Sequence, residues 1–277
     1  MNTFPRSNWA NLSQAERDAS YDNAKAVANS PDLIAKRNAA SEIYRAAHPD
    51  HLDVPYGPAD RQKFDLYPAS SPNAPCLVFI HGGYWQRNSR EGFACYAAGA
   101  AQLGWSVAMQ SHTLAPDASL SEIVAEIRMS LDWLAEHGAE HGISGPIILS
   151  GWSAGAQLTA MLLEHPSVIG GLAISGVYDL EPIRDTYFNN ALKLTDQEIA
   201  ALSPLKLPAV PKPLVIAYGA DELASLVWDS CELHAQRLAA NIPSALVALE
   251  GADHFTVLDD LLKPDGQMLG LVTMIVG

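Results

Sequence analysis

Gly151-Trp152-Ser153-Ala154-Gly155 sets a serine in a G-x-S-x-G pattern. A serine so framed becomes a nucleophile when a strand turns tightly into a helix, lifting its hydroxyl clear of the chain, and a neighbouring base takes its proton. The apolar run Ile147-Ile148-Leu149 stands just before it, and a helical pattern opens at Ala154, so the setting fits. The base candidate is His254, in Gly251-Ala252-Asp253-His254-Phe255. An acid that orients the imidazole is expected after Leu214–Tyr218, in Gly219-Ala220-Asp221-Glu222. Composition favours Asp221, and a three-residue step from Gly219 favours Glu222. Only one of two adjacent carboxylates can face the ring, and Glu222 is chosen. His81-Gly82-Gly83-Tyr84-Trp85 supplies the remaining part. Glycines let backbone N–H groups approach a substrate oxygen, so Gly82, Gly83 and Tyr84 are candidates for one side of an oxyanion hole and Ala154 for the other. His81 is expected to hold its loop rather than act as a base. Trp85, Trp152, Tyr178 and Tyr187 are pocket candidates. Together these residues are the equipment for acyl transfer without a metal or other cofactor.

The surrounding sequence predicts the elements needed to carry them. Residues 13–47 read as helical, with Ser13 and Glu16 as a capping box, and Ser30-Pro31 opening a second helix. Strands are expected at Lys63–Tyr67, Cys76–Ile80, Trp105–Met109, Ile147–Leu149, Ile169–Ser175, Leu214–Tyr218 and Ala245–Leu249. Helical patterns near 91–103, 120–137, 154–164 and 226–240 alternate with them. Ile123, Ile127, Leu131 and Leu134 make the clearest amphipathic stripe. Such alternation predicts an α/β chain with a doubly wound, mostly parallel sheet. The whole of 1–277 reads as one domain, with an N-terminal helical segment over 1–50. Residues 179–212 break the rhythm and are expected to form a small cap insertion.

Bulk properties narrow the partners. The 277 residues are 48% hydrophobic and 17% charged, with a net charge of −14. That balance suits a packed domain and opposes binding to nucleic acid or to an anionic membrane surface. Cys76, Cys95 and Cys231 are too scattered for a disulfide framework or a zinc site, and the first two read as core thiols. His137 and His141, four apart, read as a solvated helix end rather than metal ligands. His48 and His51 read as loop. Met1–Ala10 lacks the parts of a signal peptide, and no apolar run is long enough to span a membrane. A cytoplasmic protein acting on a small molecule is expected, and a homodimer is compatible with these features.

The chain order Ser, acid, His matches the α/β-hydrolase triad. Further residues carry a closer resemblance. His81-Gly82-Gly83-Tyr84-Trp85-Gln86 resembles the oxyanion motif of kynurenine formamidases (arylformamidases) and related bacterial esterases. Ser175-Gly176-Val177-Tyr178-Asp179-Leu180-Glu181-Pro182 resembles their entry into the cap. Tyr21-Asp22-Asn23, Leu52-Asp53-Val54-Pro55-Tyr56-Gly57 and Asp253-His254-Phe255 are similar to other segments of the same family. The resemblance implies an α/β-hydrolase fold and a hydrolase of small esters or aryl formamides, with Glu222 at the family's acid position. Asp221-Glu222-Leu223 departs from the commonest acid loop. His112 stands where the wider esterase group has Tyr. The expectation is a serine carboxylesterase working through an acyl-enzyme, with arylformamidase or amidase activity on N-formylkynurenine-like amides as the alternative. A catalytically dead hydrolase fold used for binding is the remote third reading.

Overall fold

The computed structural model describes residues 6–277; of the Met1–Ala10 segment read above, Met1–Pro5 lie outside the described residues. The N-terminal part holds α1 (Gln14–Ala19), α2 (Asn23–Ala26) and α3 (Ser30–Ala47). Ser13 and Glu16 form the expected capping box. Ser30 is the first residue of α3 rather than its cap, which is Asn29, because the Ser30 hydroxyl is spent on the Ala24 carbonyl at 2.8 Å.

Two strands follow, β1 (Val54–Pro55) and β2 (Lys63–Tyr67), then β3 (Cys76–Ile80), α4 (Ala98–Gln102) and β4 (Ser106–Gln110). The helical pattern near 91–103 resolves into a 3₁₀ turn, Arg90–Ala97, continued by α4. After α5 (Leu120–His137), β5 (Ile147–Trp152) and α6 (Ala154–Leu162) comes β6 (Val168–Ile174). Residues 181–202 fold as the short helices α7 (Glu181–Arg184), α8 (Asn189–Leu192) and α9 (Asp196–Leu202). The chain ends with β7 (Leu214–Gly219), α10 (Ala224–Ala239), β8 (Ser244–Leu249) and α11 (Gln267–Val276). Neither β1 nor α11 was expected. A two-residue strand is too short to show a pattern, and α11 is apolar nearly all round, QMLGLVTMIV.

Among the described residues eight strands make one sheet in the order β1-β2-β4-β3-β5-β6-β7-β8. β3 to β8 pair in parallel, and β1 and β2 add an antiparallel edge. Pleating sends Cys76, Val78 and Ile80 of β3 to one core, with α5, α6 and α10. Leu77 and Phe79 go to the other, with Phe93, Tyr96 and α11. A strand covered on both faces must be apolar throughout, which is why Cys-Leu-Val-Phe-Ile carries no alternation. The chain runs from β3 outward to β4 and then returns to β5 on the other side. That reversal opens a crevice at the carboxyl ends of β3 and β5, the usual ligand position in such sheets. Ser153 and the His81–Trp85 loop both lie there.

Among the described residues no helix is long and apolar enough to cross a membrane. Cys76 and Cys95 are buried free thiols, and burial pushes the Cys76 thiol up to about 12.

Candidate active site

Four consecutive strand ends build the centre. Ser153 follows β5 directly, with φ 57° and ψ −118°. For a residue with a side chain this backbone is strained by about 1–3 kcal/mol, and the packing around it must hold it. Gly155 lets α6 press against β3: a Cβ there would sit 2.1 Å from the Ile80 carbonyl oxygen. The Ser153 N–H donates to the Ile174 carbonyl at 2.7 Å, so the end of β6 also grips the turn.

His254 follows β8. Its loop is shaped by Asp253, whose Oδ1 accepts from the N–H groups of Phe255 and Thr256 at 2.8 and 2.9 Å. Trp152 Nε1 donates to the His254 carbonyl at 2.9 Å, and its ring lies 4.7 Å from the imidazole. The imidazole reaches both ways: Nε2 is 3.1 Å from Ser153 Oγ, and Nδ1 is 2.9 Å from Glu222 Oε2. Glu222 has no exposed side-chain surface, and its Oε1 accepts from the Gly219 N–H at 2.8 Å and from Ser175 Oγ. Asp221 beside it is exposed. The geometry therefore joins Ser153, His254 and Glu222 in one hydrogen-bonded line.

The loop after β3 passes over the serine. A Cβ on Gly82 would come within 2.8 Å of the Ser153 Cβ, so only a glycine lets the loop lie so close. Tyr84 and Trp85 take φ of 52° and 57°, a curl that Asn88 closes by donating to the Gly82 carbonyl at 3.0 Å. Ala154 opens α6, so its N–H is among the first four of a helix, which have no partner one turn back and lie at the positive end of the helix dipole. His81 Nδ1 lies 2.9 Å from the Gly82 carbonyl oxygen, and its ring stacks on His112 at 4.9 Å. Burial, and then the neighbouring His112, holds His81 well below the usual histidine range. His112 is pushed down to about 4 by burial. Both are held neutral at the loop, and the ring nitrogen that contacts Ser153 is that of His254.

Gly83, Tyr84, Trp152, Ser153, Tyr187 and His254 line one cleft of about 100 Å³. Trp85 and Tyr178, named with Trp152 and Tyr187 as pocket candidates, do not. Trp85 is 1% exposed and donates to Gln157 Oε1 at 3.2 Å. Tyr178 has no exposed surface and packs in the core. The cleft instead gains Asp22, Asn23, Ile34, Arg87, Phe188 and Phe255. Tyr187 OH donates to Asp22 Oδ2 at 3.0 Å, Tyr84 OH donates to the Tyr21 carbonyl at 2.5 Å, and Tyr84 stacks on Phe188 at 3.7 Å. Burial disfavours the Asp22 carboxylate, yet its hydrogen bonds from Lys25 and Tyr187 hold it below the usual range. The family resemblance of Tyr21-Asp22-Asn23 was the signal for this wall, although nothing local in those residues says that they face a pocket.

His137 ends α5 and sits 3.3 Å from Glu140. Among the described residues no group of three metal-binding side chains is placed to hold an ion.

The comparisons agree with this architecture. Residues 64–165 match the BD-FAE family. A Silicibacter structure described as a candidate thioesterase superposes with a TM-score of 0.83 at 28% identity, covering 93% of this chain and 99% of that one. Esterase B of Lactobacillus rhamnosis shares the fold at a TM-score of 0.68 and 17% identity, over 90% of this chain and 94% of that one. The fold is that of the α/β hydrolases, and the protein is a hydrolase acting on ester or amide bonds. Kynurenine formamidase of Danio rerio is 28% identical over 98% of this chain and 99% of its own length. The Salmo salar enzyme of that name is 30% identical over 82% of each. The chain belongs to the kynurenine formamidase family.

Proposed function

We propose that the protein is a serine hydrolase that opens aryl formamides of the N-formylkynurenine kind through a formyl-enzyme. The observation that carries the reading is the unbroken line from Ser153 Oγ through His254 to Glu222. His254 Nε2 takes the Ser153 proton as Oγ attacks the formyl carbon, and Glu222 fixes the tautomer and stabilises the imidazolium. The N–H groups of Gly83, Tyr84 and Ala154 receive the oxyanion, with Gly82 giving their loop its approach. When the C–N bond breaks, the imidazolium gives its proton to the departing arylamine. Water, activated by the same ring, then releases formate and restores Ser153.

Two features support a formamide. The cleft is small, and formyl is the smallest acyl group. Its walls carry the aromatic rings of Tyr84, Trp152, Tyr187, Phe188 and Phe255 among polar residues, and those rings suit an aryl leaving group. The Danio rerio relative, matched over 98% of this chain, carries that activity in its name. The sequence reading set esters first, and a small-ester carboxylesterase stays as the second reading, because esterase structures share the fold. Residues 179–212 act as the cap in this reading, since Tyr187 and Phe188 line the cleft. The test is a substrate panel on the purified protein: N-formylkynurenine and simple aryl formamides against p-nitrophenyl acetate and butyrate. A kcat/KM highest on the formamides supports the first reading. Turnover of the esters alone makes the protein a carboxylesterase, and no turnover by a correctly folded chain returns it to a binding role.

A further inference from the structure

The end of β6 contributes a residue that the motifs of nucleophile, base and acid do not include. Ser175 has no exposed surface. Its Oγ donates to Glu222 Oε1, the carboxylate oxygen that does not face His254. Its N–H donates to the Ala217 carbonyl of β7 at 2.7 Å, and the preceding carbonyl, of Ile174, accepts from the Ser153 N–H at 2.7 Å. One peptide unit and its side chain therefore touch both ends of the Ser153–His254–Glu222 line.

The backbone makes the choice of serine informative. Ser175 has φ 54°, in the left-handed region where glycine is the undemanding residue. A turn that needed only this conformation would be better served by glycine, and Gly176 comes immediately after. A side chain held here against that preference has a task for its hydroxyl. Glu222 supplies the task. A fully buried carboxylate needs every available donor, and the donors on Oε1 are the Gly219 N–H and this hydroxyl.

We infer that Ser175 is a positioning residue that holds the Glu222 carboxylate in register with His254. This rests on the serine-hydrolase reading above. Drawing negative charge toward Oε1 leaves less on Oε2, and the hydroxyl also fixes the carboxylate plane in which Oε2 meets the imidazole N–H. Removing it should loosen the carboxylate plane, which costs turnover, while the charge no longer drawn to Oε1 gathers on the oxygen that still meets the ring. His254 would then be protonated more easily. Tyr178, a titratable side chain influenced by Glu222, is kept neutral by burial, Asp229 and Glu222, so it adds nothing to the acid limb of the pH profile.

The experiment is Ser175→Ala, with p-nitrophenyl acetate hydrolysis followed from pH 5 to 9, alone and in a Glu222→Gln background. Ser175→Gly, which accepts φ 54° freely, is measured beside it to keep the test open if the alanine variant folds poorly. The expected result is a kcat lower by roughly tenfold to a hundredfold, the worth of a hydrogen bond to a charged group. KM should stay within about twofold, since the hydroxyl does not touch substrate. The acid limb of kcat/KM should move to higher pH, and the second substitution should add almost nothing once Glu222 is Gln. An unchanged kcat and acid limb, or an equal loss in both backgrounds, overturns the inference. Its failure is separable from that of the underlying reading: a silent Ser175→Ala beside an inactive Ser153→Ala removes only Ser175's role, whereas an active Ser153→Ala removes both.

Discussion

Two buried carboxylates in this protein meet very different partners. Glu222 lies at the carboxyl end of β7 and faces His254 at 2.9 Å. Asp65, in the middle of β2, is equally buried, but Arg90 Nε at 2.9 Å and Arg45 Nε at 2.7 Å hold it. Arg90 also pairs with Asp53 and donates to Ser111 Oγ at 2.9 Å. That second cluster ties α3, the 3₁₀ turn at Arg90 and the antiparallel sheet edge together. Guanidinium stays charged at every working pH, so around Asp65 nothing changes during a reaction cycle. Imidazole gains and loses a proton near neutrality, so the same carboxylate chemistry beside His254 can do work. Burial of an acid is common to both; the partner's ability to titrate separates a mechanical joint from the proposed catalytic one.

The comparison breaks most sharply at the serine. Ser153→Ala should lower kcat by up to about a millionfold, since members of such a triad act as a unit, while circular dichroism and melting temperature stay near the parent values. A folded Ser153→Ala variant with ordinary turnover removes the catalytic half of the contrast. Next come the adjacent acids. Glu222→Gln should cost on the order of ten-thousandfold in kcat, as in serine proteases that lose the triad carboxylate. Asp221→Asn, at an exposed position, should leave turnover and stability nearly unchanged. The reverse pattern transfers the role to Asp221.

Asp65→Asn probes the other cluster. Removing the acid leaves Arg90, 3% exposed, without its buried partner, and such a loss costs about 3–5 kcal/mol. Urea unfolding should show that loss while kcat per folded molecule is maintained. A fall in kcat without a fall in stability would mean that the two regions are coupled. The smallest effect concerns pH. His81 and His112 are held below their unfolded values by burial, so the unfolded chain binds protons that the folded chain refuses. Their contribution to stability is therefore full above about pH 6.5, the ordinary histidine value, and is lost as the pH is lowered toward 4. His112→Phe should flatten part of that slope in melting curves taken from pH 7.5 to 4.5, and an unchanged slope would place its cause elsewhere.

Much of this was legible in the residues. G-x-S-x-G after an apolar strand, H-G-G after another and a histidine after the last strand are local signals, because each turn is made by the residues proposed to carry the chemistry. Strand positions were legible too, since a strand covered on both faces must be apolar throughout. Leu120–His137 was legible to the residue from its apolar stripe; the Ser119 capping box that opens it was not read from the sequence. The sequence left the choice between Asp221 and Glu222 to a spacing argument, as neighbouring side chains diverge and one sequence does not say which points inward. It also could not separate Trp85 and Tyr178, which are core, from Tyr187 and Phe188, which line the cleft. An aromatic ring serves either place, and its direction is set by the turn before it and the element packed above it. The wall formed by Asp22, Asn23 and Ile34, and the bond from Ser175 to Glu222, join segments distant in the chain. Such contacts leave no periodicity and no spacing behind. By itself the sequence determined the candidate nucleophile and base and the strands that carry them, because those depend on neighbours in the chain; only tertiary packing decided which acid, which aromatics and which supporting hydroxyl meet at the serine, because those depend on neighbours in space.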